Sequence, residues 1–313
     1  DCNLFDAEVN GSEYDEYNPE KGAWTEDLCA LRLANTAEVI RASCPGGPDL
    51  VLLQEIENSW VIKDLAETHL KDLRYQTYTA PSVKDSPVTL AVLSRLPVKE
   101  IRLHNLELAD GFSGRPVLEV FISGKDFNLY IFNNHWKSKS GGARETEDKR
   151  IAAALLVEGR IQEILSLNPK AEIILAGDLN ESWEEYLLTG RAYPTALISY
   201  QLLKDKEVQP EGGLIVTTQK EFPVLLEGRP VLYSPWDTEP EGGSYWFNGR
   251  WERIDHFMLS SGLLDGEGLY FHDFSVIRPR FLLNQAGVPA AWNNSSRSGY
   301  SDHLPLLLHI KME

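Results

Sequence analysis

Residues 172–180 read EIILAGDLN, an apolar run that leads directly into an acidic and an amide side chain. Four consecutive apolar residues followed by glycine predict a short buried strand. Gly177-Asp178-Leu179-Asn180 would then place polar side chains at the carboxyl end of that strand. Because an isolated charge is expensive to bury, Asp178 is a candidate for chemistry rather than for core packing.

The same arrangement occurs at two earlier positions. Glu55 follows the apolar run Leu50–Leu53, and His135 follows Tyr130–Phe132. The ends of strands on a rigid sheet are where α/β proteins commonly place functional side chains. We therefore expect a site built from several strand ends.

Around these runs, strand-like and helical patterns alternate to the end of the chain, without an internal repeat or a long linker. Thr25 is expected to cap the first helix and Ser59 the second, and residues 124–126 are expected to form a hairpin turn. The pattern predicts an α/β protein with a single domain over residues 1–313. The predicted helices cover about 24–43, 59–70, 145–167 and 196–204, and the predicted strands about 50–53, 88–93, 116–122, 127–133, 172–176, 244–247, 252–259, 269–276 and 304–310.

Composition narrows the class of protein. Hydrophobic residues make up 42% of the 313 residues and charged residues 25%, as in ordinary globular proteins. No apolar run approaches the roughly 20 residues of a membrane span, so we expect no stable membrane anchor. The net charge of −17 argues against wrapping of nucleic acid through many basic contacts, but it is compatible with an enzyme that binds phosphate locally.

The polar residues at these positions fit phosphodiester hydrolysis. That reaction needs a metal ion to neutralise the phosphate, a base to activate water, and donors for the developing charge. Hard cations such as Mg²⁺ prefer carboxylate and amide oxygens. The chain offers the following candidates: Asn3, Glu55, Asp178, Asn180, Asp255, Asp302 and His303.

Six blocks of sequence, taken in order, resemble the endonuclease/exonuclease/phosphatase superfamily and its deoxyribonuclease I-like members. They are NLFD at 3–6, LQE at 53–55, NNHWKSK at 133–139, GDLN at 177–180, RIDHF at 253–257 and SDHLP at 301–305. The resemblance implies a four-layer α/β sandwich, with two mixed β-sheets packed face to face and helices outside. It also implies a divalent-metal-dependent phosphodiesterase.

The resemblance assigns the metal to one group of residues. Glu55 would be the principal metal carboxylate, with Asn3 beside it and Asp302 completing the site or bridging to it through water. Mg²⁺ is the expected ion, and Mn²⁺ and Ca²⁺ stay open. Asp178 would orient or deprotonate the attacking water, and Asn180 would donate to the phosphate.

The remaining site residues are histidines and their neighbours. His303 matches the histidine that contacts the scissile phosphate, and Asp255 the aspartate that holds its ring. His135 would be a phosphate ligand or the general acid toward the leaving oxygen. Lys137 would share a face with His135 if the strand continues, and could then bind an adjacent phosphate.

Three functions stay open. The first is a nuclease that cuts DNA or RNA, so that nucleic acid is the expected partner. The second uses the same chemistry on a phospholipid such as sphingomyelin, a sugar phosphate or an inositol phosphate. The acidic balance favours this second function slightly, whereas the lack of an evident exposed aromatic hairpin counts against its lipid version. The third is a non-catalytic binding module.

Other features receive structural interpretations. The basic residues Lys139, Arg144, Lys149 and Arg150 alternate with acidic ones, which favours a solvated helix face over a nucleic-acid-binding stripe. Trp136 and Trp183 are expected to pack rather than to stack on a base.

The chain begins at Asp1 and its start is similar to exported bacterial nuclease-like proteins, so we expect a periplasmic or extracellular location. We also expect a monomer.

Overall fold

The structure is a computed structural model that describes Tyr17 and residues 24–83, 86–107, 113–207, 212–239 and 242–313. Contacts divide the described residues into two compact units. The first unit draws on the described residues within Asp1–Val98, together with Ser244–Arg250 and Val276–Pro305. The second draws on Lys99–Gly243, Trp251–Ser275 and Leu306–Glu313. The single domain over 1–313 stays a prediction.

Helices and strands alternate along both units. The α-helices are α1 (Glu26–Ser43), α2 (Ser59–Asp64), α3 (Glu147–Leu167), α4 (Glu185–Leu188) and α5 (Tyr200–Lys204). The strands are β1 (Leu50–Ile56), β2 (Thr77–Thr79), β3 (Thr89–Ser94), β4 (Val98–Glu107), β5 (Ser113–Ser123), β6 (Asn128–His135), β7 (Glu172–Asp178), β8 (Leu197–Ser199), β9 (Leu214–Thr217), β10 (Leu225–Leu226), β11 (Arg229–Tyr233), β12 (Tyr245–Phe247), β13 (Arg250–Glu252), β14 (Asp255–Leu259), β15 (Leu269–Val276) and β16 (Leu306–Met312). A π-helical turn at Leu65–His69 continues α2, and 3₁₀ turns lie at Lys71–Leu73, Pro235–Thr238, Ser261–Leu263 and Arg280–Leu282.

Among the described residues, the first unit contains a three-stranded antiparallel sheet in the order β1-β3-β2. Helix α1 begins after Thr25, whose side chain accepts a hydrogen bond from the Leu28 amide, so the predicted cap is confirmed. The buried face of α1 joins the sheet in one apolar cluster with Val51 and Leu93. The predicted cap at Ser59 was wrong, because the Asn58 side chain accepts the first amide hydrogen bonds of α2 instead.

The second unit contains a larger mixed sheet. Its order over the described strands is β4-β5-β6-β7-β14-β11-β9-β8, with β10 beside β11. Helix α3 connects the parallel neighbours β6 and β7, because a parallel pair needs a crossover connection. The buried side of α3, including Val157 and Ile161, packs on Ile173 and Leu175 of β7. Strand β7 therefore lies in the interior of the unit.

The predicted α/β class with more than one sheet is confirmed, and β15 has the predicted bounds. Strands β2, β4, β9, β10 and β11 were not predicted, and the helix expected at 196–204 is strand β8 followed by the short helix α5. The Gly124 amide donates to the Phe127 carbonyl at 3.0 Å, which confirms the hairpin turn.

Within the part of the chain that the structure describes, every helix falls short of the length and apolar character that a membrane span requires.

Candidate active site

Three neighbouring strands of the second unit place polar side chains in one row. His135 at the end of β6 is the register partner of Asp178 at the end of β7. Asp255 at the start of β14 pairs with Asp178 from the other side. Strand β14 runs antiparallel to β7, so its first residue meets the last residue of β7. The site is thus built by strand register rather than by proximity along the chain.

The distances in this row suit electrostatic cooperation. The His135 Nε2 atom lies 3.5 Å from Asp178 Oδ2, which is longer than an ordinary N–H···O bond but close enough for a protonated imidazole to interact with the carboxylate. A carboxylate oxygen of Asp178 lies within 4.8 Å of one of Asp255. Two carboxylates at this spacing fit the oxygen ligands that Mg²⁺ and Ca²⁺ prefer. The side chains of His135 and Asp178 are 7% and 11% exposed, so both are largely shielded from water.

Asn180 fixes the orientation of the Asp178 carboxylate. Its backbone adopts a left-handed φ of 53°, which turns the chain back on itself directly after β7. The Asn180 amide N–H donates to Asp178 Oδ1 at 2.8 Å, and its Nδ2 donates to Asp178 Oδ2 at 3.0 Å. The same Nδ2 donates to the Trp136 carbonyl at 3.2 Å. In this structure Asn180 therefore positions Asp178, and its predicted contact with phosphate stays a prediction.

The close approach of β6 and β7 at the site requires glycine. Gly177 has a φ of 125°, and a Cβ atom on it would lie 2.0 Å from the Asn134 carbonyl oxygen. The Asn134 side chain donates to Ala176 O and accepts from Trp136 Nε1, so it ties both strands to the chain beyond β6. Trp136 is 1% exposed, which confirms its predicted role in packing.

Lys137 lies beyond the end of β6, so the condition under which it would share a face with His135 is not met. Its Nζ atom is within 3.2 Å of Ser138 Oγ and of the Ser138 and Ser140 carbonyls. Burial lowers the pKa of Lys137, and the positive charges of Arg115, Lys149 and Arg150 lower it further. Its predicted role in substrate binding stays a prediction.

The other predicted site residues in the described chain belong to the first unit. Glu55 is exposed and has a left-handed φ of 57°. It lies between Leu53 and Ile56, where the register of the β1–β3 pairing shifts. Such a bulge re-aims a side chain away from the regular alternation of a strand. Asp302 is also exposed.

The loop that carries His303 is held by backbone and ring contacts. The His303 ring stacks on Tyr245, with 4.5 Å between ring centroids. The His303 amide donates to Ser301 Oγ, and the Leu304 amide donates to the Ser244 carbonyl at 2.7 Å. The roles of Glu55, Asp302 and His303 stay predictions, as does the pairing of His303 with Asp255. The predicted metal ligand Asn3 lies outside the described residues.

Strand β12 presents aromatic side chains to solvent. Trp246 is 36% exposed and Phe247 47%, and Phe247 stacks on Tyr245. Asn248 and Gly249 follow with φ values of 49° and 81°, which is typical of a two-residue hairpin turn. The expectation that the chain lacks an exposed aromatic hairpin was therefore wrong. Sequence alternation alone did not separate this strand from a packed one.

A buried ionic network next to the site was not predicted from the sequence. Arg150 is fully buried between Glu147 and Glu181, at 2.6 Å and 3.2 Å from their carboxylates. Burial raises the pKa of Glu181 well above its usual range, and the neighbouring Glu147 raises it further. The solvated helix face expected here holds for the exposed Arg144 but is wrong for Glu147 and Arg150.

The chain is similar in sequence to one protein family. A family model described as "Endonuclease/Exonuclease/phosphatase family" matches residues 2–191. No curated protein matches the chain significantly.

Solved structures share the fold at low sequence identity. Truncated TDP2 from Caenorhabditis elegans is 18% identical, with a TM-score of 0.55, over 90% of each chain. TDP2 from D. rerio, complexed with a single-strand DNA product, is 14% identical with a TM-score of 0.54, over 91% of this chain and 93% of that one. The human Nocturnin catalytic domain with a bound sulfate anion is 16% identical with a TM-score of 0.50, over 93% and 88%.

Proposed function

Because the chain belongs to the endonuclease/exonuclease/phosphatase family, whose members are metal-dependent phosphoric ester hydrolases, we propose that it hydrolyses the phosphodiester bonds of DNA or RNA. The observation that carries this proposal is the row of His135, Asp178 and Asp255 on three adjoining strands. The single-strand DNA product in the D. rerio relative supports a nucleic-acid substrate.

The proposed chemistry follows from the contacts of each residue. Both oxygens of the Asp178 carboxylate accept hydrogen bonds from Asn180, so the carboxylate is held in place to orient and deprotonate a water molecule. The His135 ring lies beside the same carboxylate, with Nε2 3.5 Å from Asp178 Oδ2. A protonated His135 can then give its proton to the leaving oxygen.

The oxygen-rich donor set is the part of the site that fits a metal ion. Asn3, Glu55 and Asp302 are the metal ligands that the family resemblance implies, and the Asp178 and Asp255 carboxylates, which lie within 4.8 Å of one another, add negative charge that would favour a cation beside them. A bound divalent cation neutralises the phosphate and stabilises the charge that develops on it. Mg²⁺ as the metal, the monomeric state and export rest on the resemblance and stay predictions.

The proposal is tested with single substitutions at the site. Asp178→Asn keeps the size of the side chain but removes the base, so cleavage of an oligonucleotide with Mg²⁺ should fall by about 10²–10⁴-fold. Asp265→Asn, in a surface loop of the same unit, is the matched control and should keep full activity. Full activity of Asp178→Asn with an unchanged melting temperature would refute the assignment.

The residues of the first unit need a test of their own. Glu55→Ala and His303→Ala should each lose nearly all cleavage while the protein remains folded. His309→Ala is the control, because His309 is an exposed histidine on β16. Activity that survives in both site variants would remove the first unit from the proposed mechanism.

A phospholipid phosphodiesterase is the second candidate, and the exposed Trp246 and Phe247 favour it. Aromatic rings of this kind insert at the surface of a bilayer. Plasmid DNA, RNA, sphingomyelin vesicles and a phosphomonoester should be compared, each with Mg²⁺ and with chelator. Cleavage of vesicles alone, lost in Phe247→Ala, would establish the second candidate over the nuclease.

A further inference from the structure

A small cavity lies beside the row of catalytic candidates in the second unit. Its volume is about 80 Å³, which corresponds to a few water molecules at their liquid volume of about 30 Å³ each. The residues that line it are Leu106, Gly114, Arg115, Trp136, Lys137, Lys149 and Ala153. Among these described residues three carry a positive charge and none carries a negative one.

The three cations come from three different elements. Arg115 lies on β5, Lys137 on the segment after β6, and Lys149 on α3. Lys149 and Ala153 are four residues apart on the helix and therefore share the face that lines the cavity. The whole chain carries a net charge of −17, so a cavity lined by three positive side chains is opposite in charge to the protein as a whole.

The charges are close enough to affect one another. Burial lowers the pKa of Lys137, and Arg115 and Lys149 contribute to the same lowering by charge repulsion. Like charges at one site are unfavourable in the empty protein. An anion in the cavity would relieve this repulsion and gain charge-assisted hydrogen bonds.

The cavity is connected to the candidate active site through one backbone oxygen. Arg115 donates to the Trp136 carbonyl at 2.8 Å, and Asn180 donates to the same oxygen at 3.2 Å. Asn180 also holds the Asp178 carboxylate. The Arg115 side chain at the cavity is therefore linked to the Asp178 carboxylate through the Trp136 carbonyl and the Asn180 side chain.

We propose that this cavity binds a second phosphate of the substrate, next to the phosphodiester that is cleaved. The proposal rests on the proposed phosphodiesterase function and narrows its substrate class. The substrate is a chain of phosphates, such as an oligonucleotide, rather than an isolated phosphodiester. Lys149, Arg115 and Lys137 act as substrate-positioning residues at this subsite.

The test compares dinucleotides that differ by one phosphate. The thymidine dinucleotide TpT has only the scissile phosphodiester, whereas pTpT and TpTp carry one further phosphate at the 5′ or the 3′ end. One of the phosphorylated forms should be cleaved with a kcat/KM about tenfold or more above that of TpT. Lys149→Gln should lose most of this gain, and Lys149→Arg should restore part of it.

A surface lysine gives the matched control. Lys170→Gln changes the same charge at an exposed site that is paired with Glu267, and it should keep the full gain. Equal kcat/KM values for all three dinucleotides, or an undiminished gain in Lys149→Gln, would overturn the subsite.

Failure of the proposed function gives a different result. In that case the wild-type protein would cleave none of the three dinucleotides with Mg²⁺. Binding of fluorescently labelled pTpT, TpTp and TpT would then be measured by anisotropy in the presence of chelator. A preference for a phosphorylated form that is weakened in Lys149→Gln would support the cavity as an anion site, and equal binding would overturn it.

Discussion

Replacement of Arg150 by methionine should destabilise the second unit in a way that depends on pH. The Arg150 guanidinium is fully buried, and its nitrogens donate to acceptors on several segments. These acceptors are Glu147 Oε2, Glu181 Oε2, Thr146 Oγ1, Lys137 O and Ala143 O. Methionine fills a similar volume but donates no hydrogen bond, so two buried carboxylates would lose their cation.

The magnitude follows from the cost of breaking a buried ionic network. Removal of one partner leaves uncompensated buried charge and typically costs about 3–5 kcal/mol. Arg150 lowers the pKa of Glu181, whereas burial raises it, so the substitution should raise that pKa further. A carboxyl whose pKa is raised in the folded state destabilises the fold increasingly as the pH rises above its unfolded pKa of about 4.3. The extra loss therefore grows as the pH rises through the raised pKa that Glu181 has in the folded wild-type protein, and about pH 8 is compared with about pH 5.

Urea denaturation, followed by tryptophan fluorescence and circular dichroism, measures this loss at both pH values. Arg144→Met is the matched control, because Arg144 is exposed just before α3, and it should change the free energy of unfolding by less than about 0.5 kcal/mol. The double variant Arg150→Met/Glu181→Gln should recover about 1–2 kcal/mol of the lost free energy of unfolding, because glutamine replaces one of the two buried carboxylates that Arg150 no longer neutralises. A loss below about 1 kcal/mol at both pH values, or a larger loss at low pH, would refute the reasoning.

Three further predictions concern the same unit. Burial alone would raise the pKa of Glu119, but hydrogen bonds with His104 and Arg160 lower it to about 2. Glu119 should therefore contribute about 3 kcal/mol at neutral pH, lost as the pH falls from about 5 to 2, and Glu119→Gln should remove this dependence from urea titrations. Burial lowers the pKa of His256 to about 4. Neutral His256 therefore contributes fully to the free energy of unfolding above about pH 6.5, and this contribution is lost as the pH falls through 4. His256→Gln can still donate to the Glu181 carbonyl, and it should make the free energy of unfolding less dependent on pH in that range. Gly177→Ala should lower the free energy of unfolding by about 3 kcal/mol or more and reduce cleavage, because the new Cβ would lie 2.0 Å from a carbonyl oxygen and the backbone would be strained. Gly190→Ala is the control, since Gly190 has a φ of 68° and open space around it. It should lower the free energy of unfolding by only about 1 kcal/mol and leave cleavage unchanged.

Local signals in the sequence were sufficient for several elements. The threonine cap and the apolar spacing defined α1, and β15 was predicted with the bounds that the structure has. The strand that ends in Asp178 was also recognised, because a dense apolar run is visible in a short window. The order of the six blocks correctly predicted the family, since it combines residues far apart along the whole chain.

Local signals failed where burial depends on distant partners. The charges around α3 alternate as on a solvated helix, yet Arg150 is buried because Glu181, from the segment after β7, packs against it. Strand β12 has the composition of a packed strand, yet Trp246 and Phe247 are exposed. Neither the burial of Arg150 nor the exposure of these two rings can be predicted from a short stretch of sequence, because each depends on which distant segments pack there.

By itself the sequence determined which residue types are available for chemistry and that they follow strands. The tertiary structure alone decided that His135 and Asp255 pair with Asp178 from either side. It also decided that Asn180 holds the Asp178 carboxylate. The same holds for the cavity, which is lined by Arg115, Lys137 and Lys149. The physical reason is that strand register and side-chain burial depend on contacts between segments far apart in the chain, whereas helix caps, turns and apolar runs depend on neighbours within a few residues.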